Sequence, residues 1–174
     1  MNLLNKILLF LASVCSLYSN DNRTYINQSV RSDFLCYMDY RLITNKDTLQ
    51  YKLVNHKRTI TGNYGIRNHE DQEKKSHYLV AVSKKFGVIG DIINIRFTNG
   101  ILLEVIIGDY KKPEEIRKNP VPGHEISKNR YCVVEFIVDK PAVSSKVINI
   151  GGFQGIYPGN ILYIEKTHKK TNFK

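Results

Sequence analysis

Asp91-Ile92-Ile93-Asn94-Ile95-Arg96-Phe97-Thr98-Asn99-Gly100-Ile101-Leu102-Leu103-Glu104-Val105-Ile106-Ile107 is the stretch that decides the fold class. Apolar residues alternate along its first arm, Asn99-Gly100 interrupts, and an apolar run returns. Both central residues of a type I′ turn need positive φ, which Asn and Gly tolerate, so the segment reads as a β-hairpin. Just upstream, Tyr78-Leu79-Val80-Ala81-Val82 reads as a buried strand, followed by a turn from Lys84 to Gly90 that glycine closes.

Downstream of Gly108-Asp109, residues 110–130 are polar and hold Pro113, Pro120, Pro122 and Gly123. A loop of that length inside a domain is usually functional or disordered. Cys132 to Val138 reads as another strand, and Pro141 opens a short helix through Val147 and Ile148 that Gly151-Gly152 ends. Tyr157-Pro158-Gly159-Asn160 is a turn before a closing strand, Ile161 to Ile164. Upstream, residues 34–53 are mixed and read as a short helix or turn followed by a strand, while residues 21–33 are polar and loose. The sum is a mainly β domain over residues 34–166. About six strands and one or two short helices suggest a small closed barrel, with a basic tail over 167–174.

Residues 1–20 read as an address rather than as structure. Lys6 supplies a positive start, Ile7 to Val14 an apolar run, and Ser16 and Ser19 small residues for cleavage. That run is shorter than the roughly 20 residues a membrane span needs, so a signal peptide is expected. A secreted or cell-envelope protein with no membrane segment in its mature part follows. The formal charge is +10, to which Lys6 contributes one. Such a balance favours polyanionic partners, and for an exported chain these are envelope polymers or anionic lipid heads rather than nucleic acid. The wealth of Asn, Lys and Ile suits an AT-rich bacterium.

Several chemistries find no support. The five histidines form no HExxH, no CxxC occurs, and Ser83 lacks the GxSxG elbow of serine hydrolases. No metal or other cofactor is expected. Beyond the leader the cysteines are Cys36 and Cys132, which could pair in an oxidising compartment; spacing does not decide it. Asp109 stands out, at the end of an apolar strand and the mouth of the long loop. A carboxyl partly shielded by apolar walls has its pKa raised and can act as a general acid. Glu135 and Asp139, on or just after the next strand, are the other candidates. Two carboxyls about a sugar bond are the usual glycosidase arrangement.

The segments Tyr78-Leu79-Val80-Ala81-Val82-Ser83, Ile89-Gly90-Asp91, Asn99-Gly100, Ile107-Gly108-Asp109 and Val134-Glu135-Phe136-Ile137-Val138-Asp139 together resemble the double-psi β-barrel domains. Among these the chain is most similar to the three-aspartate domain of cell-wall lytic enzymes and to the barrel of the lytic transglycosylase A family. Tyr37-Met38-Asp39-Tyr40-Arg41-Leu42-Ile43-Thr44, Gln50-Tyr51 and Gly65-Ile66-Arg67 resemble exported or phage-associated proteins of Gram-positive bacteria carrying the same barrel. The likeness runs from about Phe34 to Lys166.

The resemblance implies a six-stranded double-psi β-barrel that acts on peptidoglycan. Of the three aspartates, the first falls on Ser83, the second on Asp109, and the third on Glu135 or, in a shifted register, Asp139. The glycines expected after the second are Lys111, Lys112 and Pro113. Asp109 would protonate the glycosidic oxygen and then, as base, take the proton of the 6-hydroxyl that closes a 1,6-anhydro ring. Glu135 and Asp139 would complete the catalytic set, and Asp39, Tyr40, Arg41, Arg67, Ser83 and Lys111 would hold the anionic polymer. The rival expectation is a non-catalytic barrel that binds wall glycan or another envelope partner.

Overall fold

The structure, a computed structural model, describes residues 22–117 and 119–173. The signal-peptide reading of residues 1–20 lies outside them. The polypeptide forms strands β1 (Arg23–Tyr25) and β2 (Cys36–Asp39), helix α1 (Leu49–Val54), and strands β3 (Thr59–Thr61), β4 (Arg67–Glu70), β5 (Ser76–Val82), β6 (Asp91–Phe97) and β7 (Leu102–Tyr110). Helix α2 (Pro113–Arg117), strands β8 (His124–Ser127), β9 (Arg130–Cys132) and β10 (Glu135–Val138), helix α3 (Ser145–Ile150) and strand β11 (Ile161–Lys170) follow. The fold is thus mainly β with short helices.

Among the described residues nine strands make one sheet in the order β1-β11-β6-β7-β5-β10-β2, with β4 also on β5 and β3 on β4; β8 and β9 form a separate hairpin. Most pairings are antiparallel, but β5 runs parallel to β7 and β2 parallel to β10. Among the described residues no ladder joins β1 to β2, so the sheet does not close into the six-stranded barrel expected from the sequence.

The β6–β7 hairpin forms as the sequence predicts, with Arg96 opposite Leu102. Its turn differs. Gly100 has φ +91° and Asn99 does not have positive φ, while Phe97 accepts from Gly100 N at 3.0 Å and donates to Ile101 O at 2.9 Å. Thr98 therefore joins Asn99 and Gly100 in a three-residue loop, a turn closed by a left-handed glycine rather than a type I′ pair.

Elsewhere the sequence reading is corrected. Strand β2 precedes helix α1, the reverse of the order expected over residues 34–53. Thr48 starts that helix by accepting from Tyr51 N at 3.2 Å. Residues 110–130 are no structureless loop, since they hold α2, β8 and the first residue of β9. The strand read from Cys132 to Val138 is broken at Val133-Val134, both buried. Residues 23–25 pair with β11, which itself continues through Lys170. Around Phe136 an aromatic cluster fixes the core, with Phe153 at 4.7 Å, Tyr157 at 5.6 Å and Tyr78 at 5.9 Å between ring centres.

Candidate functional site

One irregularity places Asp109. Val80 pairs with Ile107 but Ala81 pairs with Asp109, so Gly108 is an extra residue, a bulge in the β5–β7 ladder. In an unbroken strand Asp109 would share the face of Ile107, which is fully buried. The bulge turns it to the face of Ala81 instead. Ala81 is opposite Glu135, and Glu135 is opposite Cys36. Four strands thus carry one row, Asp109, Ala81, Glu135 and Cys36, on one side of the sheet. Lys111, two residues past Asp109 and bonded through its N–H to Val82 O at 3.1 Å, extends that row.

Asp109 is half-buried, and loss of water around it raises its pKa above the ordinary carboxyl value. Hydrogen bonds from Tyr110 N–H and Gln50 oppose the rise, and the nearby charge of Glu135 adds to it. The carboxyl opens on a cleft of about 270 Å³ lined by Leu42, Ile43, Thr44, Asn45, Thr48 and Gln50. Ile43 and Thr44 are shared with a neighbouring cavity of about 390 Å³ that includes Tyr40, Arg41, Lys46 and Tyr51. Lys46 and Tyr51 in turn belong to a third cavity of about 750 Å³ with Lys52, Lys57 and Phe173. Through these shared residues the three cavities adjoin along α1, with Asp109 in the first and cations and aromatic rings in the other two.

On the other side of Glu135 lies a cluster. Lys111, 4 % exposed, pairs with Glu135 Oε1 at 3.0 Å and reaches His124 Nδ1 at 2.9 Å and Cys132 Sγ at 3.5 Å. Cys36 Sγ lies 3.7 Å from His124 Nε2. Cys132 Sγ donates to Val134 O at 3.2 Å. Both cysteines are free and buried. Cys132 beside it, together with burial, pushes the Cys36 thiol well above the usual thiol range. The β8–β9 hairpin brings His124 and Cys132 here, and Arg130 anchors it through Asp33 at 2.9 Å.

The remaining candidates gather elsewhere. Asp139 follows β10 four residues beyond Glu135, which at about 3.3 Å per residue places it some 13 Å along the strand, away from the acid row. There Arg41 grips Asp39 through two contacts of 3.0 and 2.8 Å and approaches Asp139 at 3.6 Å. Arg67 lies over the Tyr40 ring at 4.5 Å and donates to Val54 O, Thr59 O and Thr61 Oγ1. It is bound up with its own chain rather than turned to a ligand. Ser83, buried, caps the 3-10 turn Lys84–Phe86 by accepting from Lys85 N at 3.4 Å. The structure therefore joins Asp109, Glu135 and Lys111, and sets Asp39, Arg41 and Asp139 apart.

The sequence reading missed Gln50, His124, Cys36 and Cys132 as parts of the site. Position 50 beside Tyr51 was the one visible hint, while the others lie at spacings that match no motif. Comparison with family models, with curated proteins and with solved structures returned no match.

Proposed function

We propose that the protein acts on an anionic cell-wall glycan, with Asp109 as general acid and base at the end of the α1 groove. The observation that carries this reading is a desolvated carboxyl opening on a cleft that continues into a cation-lined groove. A raised pKa keeps a proton on Asp109 closer to neutrality, where it can be given to a glycosidic oxygen as the C–O bond breaks. The carboxylate left behind takes the proton of the sugar's 6-hydroxyl while that oxygen bonds to the anomeric carbon. Its proton is thereby restored and no water is consumed.

Gln50 orients the carboxyl, and Glu135, paired with Lys111, acts on it from two strands away. Lys46, Lys52 and Lys57 supply attraction for polymer carboxylates, and Tyr51 supplies a face for sugar rings. The relation to double-psi β-barrels belongs to the same proposal. It is supported by the two parallel pairings within a mostly antiparallel sheet.

The test incubates purified protein and Asp109→Asn with peptidoglycan and reads soluble products by mass spectrometry. Anhydro-muropeptides from the wild type alone support the transglycosylase reading, while ordinary reducing ends make the protein a hydrolase. Retention on the polymer without product from either form overturns catalysis and leaves a binding domain.

A further inference from the structure

We propose that Cys36, His124, Cys132 and Glu135 form a binding site for one divalent cation of the zinc class. Four donor atoms, one from each residue, lie within 4.8 Å of one another. A tetrahedral zinc site with bonds near 2.3 Å to sulfur and 2.0–2.2 Å to nitrogen and oxygen sets its ligand atoms roughly 3.3–3.8 Å apart. The contact of 3.7 Å between Cys36 Sγ and His124 Nε2 already falls in that range. The widest pair needs to close by about 1 Å. Two sulfurs, an imidazole and a carboxylate are a donor set that suits zinc better than the hard cations, which select oxygen alone.

The surroundings also fit. A buried free cysteine ordinarily packs as a small apolar group. Here both sulfurs instead face an imidazole and a buried Lys–Glu pair. Charge can balance as well. Lys111 and Glu135 cancel while both thiols are protonated. A divalent cation that displaces two thiol protons adds two positive and two negative charges, so the cluster stays neutral. The cation takes Nε2, the ring proton moves to Nδ1 and turns to Glu135 Oε1, 3.6 Å away, and Lys111 gives up Nδ1 while keeping Glu135 and Cys132 as outer acceptors. Four ligands from β2, β8, β9 and β10 would then tie the hairpin to the face that bears Asp109. Nothing in this depends on the glycan reading.

The experiment uses the whole chain, reduced, stripped with a chelator and titrated with Co²⁺ and then Zn²⁺. The expected result is one equivalent of cobalt with thiolate-to-cobalt charge transfer and the intense visible bands of a tetrahedral ion, both erased by one equivalent of zinc. Cys36→Ser and Cys132→Ser should each weaken zinc by more than about 100-fold against a competing indicator, since even outer-sphere changes cost 10–100-fold. Absence of charge transfer in the wild type overturns the proposal, as does an unchanged spectrum in either folded serine variant. Cys36 and Cys132 already joined as a disulfide in protein isolated without reductant also overturn it. Where a serine variant fails to fold, the wild-type spectrum decides.

Discussion

Replacing Lys111 with Met tests whether the cluster beside Asp109 is held by its buried ion pair. The Lys111 side chain is 1 % exposed and that of Glu135 20 %, with 3.0 Å between Nζ and Oε1. Met is close in length and fills the stem's space, so the loss is chiefly electrostatic. Removing one member of a buried pair costs about 3–5 kcal/mol, because the partner keeps its charge without compensation. Glu135 retains some contact with water, which offsets part of this, and about 3 kcal/mol is expected for Lys111→Met. Glu135→Gln should cost at least as much, because the ammonium it strands lies deeper. The double variant Lys111→Met, Glu135→Gln should recover roughly 2 kcal/mol relative to the sum of the singles, as coupled neighbours do. Urea unfolding at neutral pH with chelator present reads all four forms, provided the m-values agree. Single losses below about 1 kcal/mol with an additive double would refute the claim that this pair organises the site.

Three further outcomes follow from named residues. Asp109→Asn should be more stable than the wild type at neutral pH. The folded carboxyl holds its proton above the unfolded value near ~3.9, so wild-type stability falls as pH rises through that interval. The gain is about 1.4 kcal/mol for each pH unit between the two values and vanishes at acid pH; a gap that does not change with pH would sink the argument. His69 is fully buried, its ring 2.7 Å from Thr59 Oγ1, and burial lowers its pKa to about 4. The unfolded chain takes up this proton near pH ~6.5, so roughly 3 kcal/mol of stability is lost between there and pH 4. An NMR midpoint near the unfolded value would contradict it. Gly65→Ala places a Cβ 2.7 Å from the Ala142 carbonyl at φ +82°, in a loop whose Gly65 O accepts from Asp139 N at 2.9 Å. A loss of about 3 kcal/mol is expected, and chemical denaturation showing under 1 kcal/mol would mean the loop yields freely.

What could be read in the chain was what is decided locally. Asn99-Gly100 between apolar arms announced the β6–β7 hairpin, and β5 was visible as an apolar run. Even there the turn type depended on whether Thr98 belonged to the loop, which alternation does not reveal. The break at Val133-Val134 was hidden because both residues are as apolar and buried as their neighbours in a strand. Strand β2 has its register set by β10, about a hundred residues away in sequence, so residues 34–53 gave no clear period of their own. The Thr48 cap was there to be read, and would have placed the helix after the strand. Asp109 was legible as an acid at a strand end. That Glu135 would stand near it and Asp139 would not follows from strand register, which no local pattern specifies.

The site exists because of a departure from regular structure. A Cβ on Gly108 would come within 2.7 Å of Ile137 Cδ1 and 3.3 Å of Leu79 Cβ, so a side chain there crowds the sheet just where the ladder slips. That single extra residue moves Asp109 and Lys111 together from the face of Ile107 to the face of Glu135. Without it both would lie on the side of Ile107, and Glu135 would lose its counter-charge. Glu135 consequently separates two chemistries. Toward β7 it faces a carboxyl whose proton is available to a ligand in the α1 groove; toward β2 it faces two thiols and an imidazole. Because Glu135 belongs to the thiol cluster and reaches Asp109 only through its charge, cobalt binding and glycan cleavage can fail or succeed independently. Substitutions in the Lys111–Glu135 pair are the ones expected to impair both.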